Sequence, residues 1–151
     1  MVYKRILVPV DGSPTSMAGL REALRLARNQ KAKVRLLNIV DELMVFSSAE
    51  AGLNIEPVIE SMKRGGKRVL ERAAKVAAAA GVRPEIELWE NATGRVAEVL
   101  IGRAKRWKAD LIVMGTHGRR GVNRLMLGSD AELAVRNSPV PVLLVRSARR
   151  G

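Results

Sequence analysis

Residues 111–118 read LIVMGTHG, an apolar run that passes directly into a loop containing two glycines. Four successive apolar residues predict a strand that is buried on both faces, as in a covered parallel sheet. Gly128 and Ser129 follow where the next helix is predicted to begin. Glycine lets a backbone approach a ligand closely, and a helix N-terminus adds unpaired N–H groups and the positive end of a dipole. This stretch therefore predicts an anion-binding loop, with phosphate as the favoured anion.

The same arrangement of strand, loop and helix occurs near the N-terminus. Residues 6–10 (ILVPV) form an apolar run that ends at the turn residues 11–14 (DGSP). Ser13 is a predicted helix N-cap, with Pro14 at the first helical position. Asp11 stands at the carboxyl end of the predicted strand, which is the edge where open parallel sheets bind ligands. Asp-Gly is also a common turn pair, so a binding role and a turn role for Asp11 both remain open.

The rest of the chain continues this alternation. Five apolar or alternating runs predict strands, and four amphipathic segments predict helices: strands 6–10, 34–40, 85–89, 111–114 and 141–145, and helices from Pro14, from Pro57 to about residue 80, from Thr93 to Trp107, and at 131–135. Such alternation predicts an α/β fold: a doubly wound, Rossmann-like five-stranded parallel sheet with helices on both faces. We expect a single domain over residues 1–147, followed by a short basic tail at 148–151.

Several local features carry more specific expectations. Residues 42–56 show no steady period and predict a long loop with room for a short helical turn. The glycine pair 65–66 should weaken the middle of the helix from Pro57. The stripe that this helix is expected to bury consists of Val58, Met62, Val69, Ala73, Val76, Ala77 and Ala80. Thr93 is the predicted cap of the following helix. Trp107 is expected to pack against the core.

The composition excludes several classes of site. The chain of 151 residues has no cysteine and one histidine, His117, so disulfides and a thiolate or histidine metal centre are not expected. The residues are 47% apolar and 28% charged, which is typical of a folded domain. No apolar stretch has the length of a bilayer span or of a signal-peptide core. We expect a cytoplasmic protein with no membrane partner.

The formal net charge of +12 points to polyanionic partners such as nucleic acid, acidic lipid or a polyphosphate. The basic residues are spread along the chain, however, and only 3% of residues are aromatic, which leaves little for stacking on bases. An ordinary solvated basic surface is therefore the favoured interpretation, and nucleic-acid association stays as the alternative.

The strand order of a doubly wound sheet must reverse, and ligands bind in the crevice at that reversal. If it falls between the first and fourth strands, Asp11 faces the glycine loop and Val40 lies on the same rim. Asp11 would then accept hydrogen bonds from ribose or base, and the Val40 main chain would bond the base. The glycines and Ser129 would hold phosphates, with Arg119 or Arg124 adding charge. The candidate nucleotide-binding residues are Pro9, Val10, Asp11, Val40, Met114, Gly115, His117, Gly118, Arg119, Gly128, Ser129 and Asp130.

The common nucleotide fingerprints are absent: there is no P-loop pattern and no G-x-G-x-x-G after the first strand. What is present is G-x-x-G, nine residues, then G-S, at Gly115, Gly118, Gly128 and Ser129. With segments 6–13, 109–119 and 138–145, this pattern makes the chain resemble the universal stress proteins of the UspA type over nearly its whole length. The glycine pattern marks that family's ATP-binding subgroup. The resemblance implies binding of ATP, or of ADP or AMP, with Mg²⁺ carried only by the phosphates.

The resemblance also implies a homodimer that pairs the last strands of two subunits, through Val142, Leu143, Leu144 and Val145. An apolar edge strand left uncovered would present unpaired backbone groups, which agrees with such pairing. Asp130 departs from the family, which usually has a small apolar residue at that position. Its carboxylate suits a helix N-terminus but repels a triphosphate. If Arg119 and Arg124 do not offset it, a nucleotide with fewer phosphates is preferred.

The residues favour a binding protein over an enzyme. His117 has no acid beside it in sequence, and no second carboxylate is placed to hold a metal next to Asp11, so no catalytic residues are assigned. Slow ATP hydrolysis or self-phosphorylation stays open. The leading hypothesis is a stress-response or regulatory module that responds to ATP.

Overall fold

The computed structural model describes residues 2–50, 52–117 and 127–147. Its single sheet consists of β1 (Arg5–Pro9), β2 (Lys33–Asp41), β3 (Glu85–Asn91), β4 (Leu111–Gly115) and β5 (Val142–Val145), in the order β3-β2-β1-β4-β5. All four pairs of neighbouring strands are parallel. The chain winds outward from β1 in one direction through β2 and β3 and then in the other through β4 and β5. The predicted doubly wound sheet is confirmed, and its reversal lies between β1 and β4.

The helices are α1 (Pro14–Gln30), α2 (Glu42–Ser48), α3 (Glu56–Ala79), α4 (Val96–Trp107) and α5 (Ser129–Asn137). The predicted start of α1 is confirmed: the Ser13 side chain accepts a hydrogen bond of 3.2 Å from the Ser16 N–H, and Pro14 occupies the first turn. This cap fixes where the chain turns from β1 into α1, immediately after Asp11. The carboxyl end of β1 is thereby placed at the amino end of a helix.

Two apolar layers enclose the sheet. Ile6 and Val8 of β1 pack with side chains of α1 and α3 on one face. Leu7 points to the opposite face and packs with side chains of α4 and α5. This alternation follows from the period of two in a strand, and it explains why residues 6–9 of β1 and 111–114 of β4 are apolar at every position. The expected packing role of Trp107 is confirmed, since it is buried in the α4 layer.

Three local details differ from the prediction. The segment 42–56, predicted as a long loop with room for a short helical turn, contains α2, a helix of 7 residues that is too short to give a clear period. Val58 of the expected stripe is 50% exposed, whereas Ala73 and Ala77 of that stripe are buried, together with Gly66 and Leu70. Helix α4 begins after Arg95, not after Thr93, because the Glu98 carboxylate accepts the Arg95 N–H at 3.4 Å and so satisfies the helix start.

The glycine pair of α3 has a packing role. Helix α3 runs through both glycines as one element. A Cβ on Gly66 would lie 2.5 Å from Asn38 Oδ1 and 2.8 Å from Leu88 Cδ1, so only glycine allows α3 to approach β2 and β3 this closely. A Cβ on Gly65 would meet only the end of the Arg68 side chain, at 4.0 Å. The two neighbouring glycines therefore have different structural roles.

Candidate functional site

Asp11 lies in the turn between β1 and α1. Its Oδ1 accepts a hydrogen bond of 2.8 Å from the Ser13 N–H, and its own N–H donates to Ser16 Oγ at 3.3 Å. The buried Asn38 side chain donates to the Val10 carbonyl at 2.9 Å and holds the preceding residue in place. The expected turn role is present. Because the carboxylate also lines a cavity, the turn fixes the position of a charged group at the sheet's carboxyl edge.

The two ends of the glycine loop lie close together. The Gly128 N–H donates to the Thr116 carbonyl at 2.8 Å, just before α5 begins. The Thr15 hydroxyl of α1 donates to the His117 carbonyl, and the Thr116 hydroxyl is 3.0 Å from His117 Nδ1. These bonds tie the carboxyl end of β4 to the amino ends of both α1 and α5.

Gly115 has a structural reason to be glycine. A Cβ there would lie 2.6 Å from the Thr15 carbonyl carbon and 2.9 Å from the Ser16 nitrogen, so the first turn of α1 occupies that space. At Gly128 a Cβ would lie 3.1 Å from the Thr116 carbonyl oxygen, which is a tight contact. The predicted phosphate-loop glycines thus include one that is explained by helix packing alone.

A cavity of about 350 Å³ opens at the carboxyl ends of the strands where the order reverses. Nine of the predicted site residues line it: Pro9, Val10, Asp11, Met114, Gly115, His117, Gly128, Ser129 and Asp130. Gly118 and Arg119, and Arg124 with them, lie outside the described residues. The lining also includes residues that sequence reasoning missed: Ser16, Leu37, Asn38, Ile39, Asp41, Val96, Leu100, Thr116 and Ala131.

Of the last three residues of β2, Ile39 and Asp41 line the cavity and the predicted Val40 does not. The Val40 side chain is buried, with 3% exposure. The backbone pattern explains this. Leu37 directs its carbonyl toward β1, where it accepts the Val10 N–H at 2.8 Å. Main-chain groups alternate in direction along a strand, so those of Ile39 also face the β1 side, whereas those of Val40 face β3. Ladder pairing with β1 ends at Leu37, so the Ile39 main chain faces the crevice beyond it.

The amino end of α5 forms another wall of the cavity, with Gly128 as N-cap and Ser129 as the first helical residue. The first N–H groups of a helix have no partner within the helix and attract anions. Asp130 and Glu132 lie in the same first turn, and Asp130 is exposed at the cavity. The cavity therefore combines an anion-binding helix end with carboxylates at Asp11, Asp41 and Asp130.

Two further features bear on the chemistry. Within residues 2–50, 52–117 and 127–147, no group of three His, Cys, Asp or Glu side chains is arranged to hold a metal ion. No helix in the same part of the chain is long and apolar enough to cross a bilayer.

Comparison with known proteins gives a consistent result. The model of the universal stress protein family matches residues 2–146. A universal stress protein of Methanocaldococcus jannaschii is 35% identical over 149 residues, covering 99% of this chain and 85% of the relative. Universal stress protein YxiE of Bacillus subtilis is 32% identical over 96% of this chain and 100% of its own length. The structure of UspA from Lactobacillus plantarum superposes with a TM-score of 0.81 at 26% identity, covering 97% of this chain and 99% of that one. The chain belongs to the universal stress protein family.

Proposed function

We propose that this protein binds an adenine nucleotide (ATP, or ADP or AMP) in the cavity between β1 and β4. One observation carries the proposal: a 350 Å³ cavity at the reversal of strand order is bordered by the Asp11 carboxylate, the Ile39 main chain and the amino end of α5. That volume lies within the range of about 300–1,000 Å³ that small-molecule sites occupy. The main chain, the carboxylate and the helix end are chemically different groups, and they suit the base, the sugar and the phosphates of a nucleotide respectively.

Each border suits one part of the nucleotide. A main-chain N–H and C=O that face the same way, as at Ile39, complement the ring nitrogen acceptor and amino donor of adenine. Asp11, held by the Ser13 N–H at 2.8 Å, accepts hydrogen bonds from ribose hydroxyls. The amino end of α5 at Ser129 takes the phosphates. Mg²⁺ would arrive with the phosphates and not on a preformed protein site.

Structures of the same fold support the class of ligand. A universal stress protein in complex with cAMP has a TM-score of 0.69, one from Archaeoglobus fulgidus in complex with dAMP has 0.67, and a family protein from Arabidopsis thaliana with AMP bound has 0.68. Their identities of 24%, 23% and 18% make this a likeness of fold. The choice of adenine nucleotide here therefore depends on the residues of this cavity.

The proposed role is that of a regulatory module in the stress response, whose conformation or choice of partner depends on the nucleotide. We assign no catalytic residue. A cytoplasmic location stays a prediction.

We also propose a homodimer formed at β5. This strand ends the sheet at one edge, and its four side chains are only half-buried. Ile112 N–H donates to Pro141 O, and Thr116 N–H donates to Val145 O. Main-chain N–H and C=O groups point to opposite sides at successive residues of a strand. Those of Val142 and Leu144 therefore point away from β4 and toward the open edge of the sheet. A second copy of β5 would satisfy them.

The decisive experiment for the nucleotide site is calorimetric titration of ATP, ADP, AMP and GTP into the wild type and the Asp11→Asn variant. Asparagine keeps an oxygen for the Ser13 N–H but loses the charged acceptor for ribose, so we expect adenine-nucleotide affinity to fall about tenfold or more while the fold persists. GTP should bind more weakly than ATP because guanine reverses the donor and acceptor at the base edge.

The matched control is Glu71→Gln, which makes the same chemical change at an exposed position of α3. It should leave ATP affinity unchanged. Absence of adenine-nucleotide binding at millimolar concentration in the wild type would refute the proposal, as would equal affinities in the wild type and Asp11→Asn.

A further inference from the structure

The two helix layers carry very different charge. Helices α1 and α3, which cover one face of the sheet, contain nine lysines and arginines and four glutamates. Helices α4 and α5, on the other face, contain four basic and three acidic residues. Most of the positive excess of the helices therefore lies on one side of the molecule. We call this side the basic face; its exposed members are Arg21, Arg25, Arg28, Arg64, Lys67, Arg68, Arg72 and Lys75.

The basic side chains form a stripe along α3. Arg64, Arg68, Arg72 and Lys75 follow one another at intervals of four, four and three residues, which puts them on one side of a helix. The buried residues Leu70 and Ala77 lie on the opposite side. At 1.5 Å per residue the stripe is about 16 Å long, a length over which duplex nucleic acid carries roughly ten phosphate charges.

Few of the nine basic residues of α1 and α3 have an ion-pair partner in the described part of the chain. Arg25 pairs with Glu22, and Lys63 pairs with Glu60 at 3.2 Å and Glu90 at 2.8 Å. Hydrogen bonds to Glu90 and Glu60 raise the pKa of Lys63 accordingly. In the part of the chain that the structure describes, the other seven basic residues of α1 and α3 have no ion pair. A concentrated charge of this kind favours a polyanionic partner.

The exposed apolar side chains of α1 and α3 indicate which kind of polyanion can bind the basic face. Among the described residues, Val58 at the start of α3 is the one large apolar side chain of these two helices that is strongly exposed. Surface binding to a membrane needs an apolar helix face to insert, and binding of single-stranded nucleic acid needs aromatic side chains on which bases stack. The basic face offers neither, but it matches a regular array of phosphates.

We propose that the basic face binds the phosphate backbone of duplex nucleic acid without sequence preference. Phosphate contacts alone position a duplex but do not read its sequence. None of the basic residues of this face is among the described residues that line the cavity. Duplex binding and nucleotide binding are therefore independent, and either one can fail without the other.

The test is fluorescence anisotropy of a labelled 20-base-pair duplex with the full-length protein, measured over a series of NaCl concentrations. The variant Arg68→Gln/Arg72→Gln removes two charges from the basic face. Its matched control, Lys105→Gln/Arg106→Gln, removes two exposed charges from α4 on the opposite face. We expect the first variant to lower the slope of log K against log salt by about two and to weaken binding on the order of tenfold at low salt. The control should stay within about twofold of the wild type, and a scrambled duplex should bind equally well.

Several outcomes would overturn the proposal. Equal losses in the two variants would show that net charge alone attracts the duplex. Binding that does not depend on salt, or no binding at 50 mM NaCl, would also refute it. Vesicles rich in anionic lipid that bind through Arg68 and Arg72, while the duplex does not bind, would assign the face to membranes. Saturating ATP should not displace the duplex; if it does, the two ligands share the cavity and the basic face is not the site.

Discussion

Asp130 is the residue at which the demands of helix and ligand conflict. It lies in the first turn of α5 and lines the cavity, where its negative charge stabilises the helix N-terminus. The same charge opposes phosphates bound at that terminus. We predict that Asp130→Asn raises ATP affinity by about 1 kcal/mol, or roughly fivefold, and AMP affinity by less, because ATP brings more charge. Calorimetric ratios of ATP to AMP affinity measure the effect.

Glu132→Gln provides the control at the residue scale. Glu132 lies in the same turn but pairs with Arg136 at 2.9 Å, and it is not among the described cavity residues. Its removal changes the net charge equally and should shift the ratio much less. An unchanged ratio in Asp130→Asn would mean that the phosphates point away from α5.

The position of helix α3 against the sheet depends on the absence of a side chain at Gly66. Gly66 lets it lie against Asn38, whose side chain holds the Val10 carbonyl next to Asp11. We predict that Gly66→Ala lowers the free energy of unfolding by about 1–3 kcal/mol, because a Cβ would lie 2.5 Å from Asn38 Oδ1. It should also weaken nucleotide binding through the shifted Val10. Urea unfolding and calorimetry measure the two effects.

Gly65→Ala is the matched substitution one residue earlier. It lies in the same helix with a nearest contact at 4.0 Å, so alanine should stabilise the protein by up to about 1 kcal/mol through helix propensity. If both alanine variants have the same stability, the close approach at Gly66 does not set the position of α3.

At the scale of the whole molecule, the two edges of the sheet differ. Strand β3 carries charged side chains such as Glu85 and Glu87, which pair with Arg35 of β2, whereas β5 is apolar throughout. Charged side chains protect an edge from pairing, and an apolar edge invites it. We predict that Val142→Pro, which removes an outward N–H, turns the dimer into a monomer in sedimentation equilibrium. Val142→Ala shortens the side chain but keeps the donor, so it should remain a dimer. A monomeric wild type would contradict the proposal.

Much of the fold could be predicted because its signals are local. The apolar runs before Asp11 and Gly115 identify buried strands, and Ser13 with Pro14 fixes the start of α1. Helix α2 was allowed for only as a short helical turn within a loop, because 7 residues are too few to show a period. The predicted stripe of α3 was right at Ala73 and Ala77 and wrong at Val58, because the helical period does not show where along its length a helix meets the sheet.

The candidate site was predicted in its outline but not in its details. Asp11 and the residues from Gly128 to Asp130 could be placed at the crevice, since turns and helix starts have sequence signals. Ile39 was missed in favour of Val40, because the direction of a main-chain group depends on the register of β2 against β1. Once Leu37 is known to direct its main-chain groups toward β1, counting two residues along β2 identifies Ile39 as the next residue that does so.

The sequence by itself determined the alternation of strands and helices, the glycine loop and the family pattern, because each depends on residues close together in the chain. Tertiary structure alone decided which main chain faces the cavity, since register joins residues far apart, as in the pairing of Pro9 with Leu37. The packing of α1 and α3 on the same side of the sheet also places arginines from both helices on the basic face. The positive excess of the helices is one-sided because two crossover helices, separated by β2 and α2, pack on the same side of the sheet.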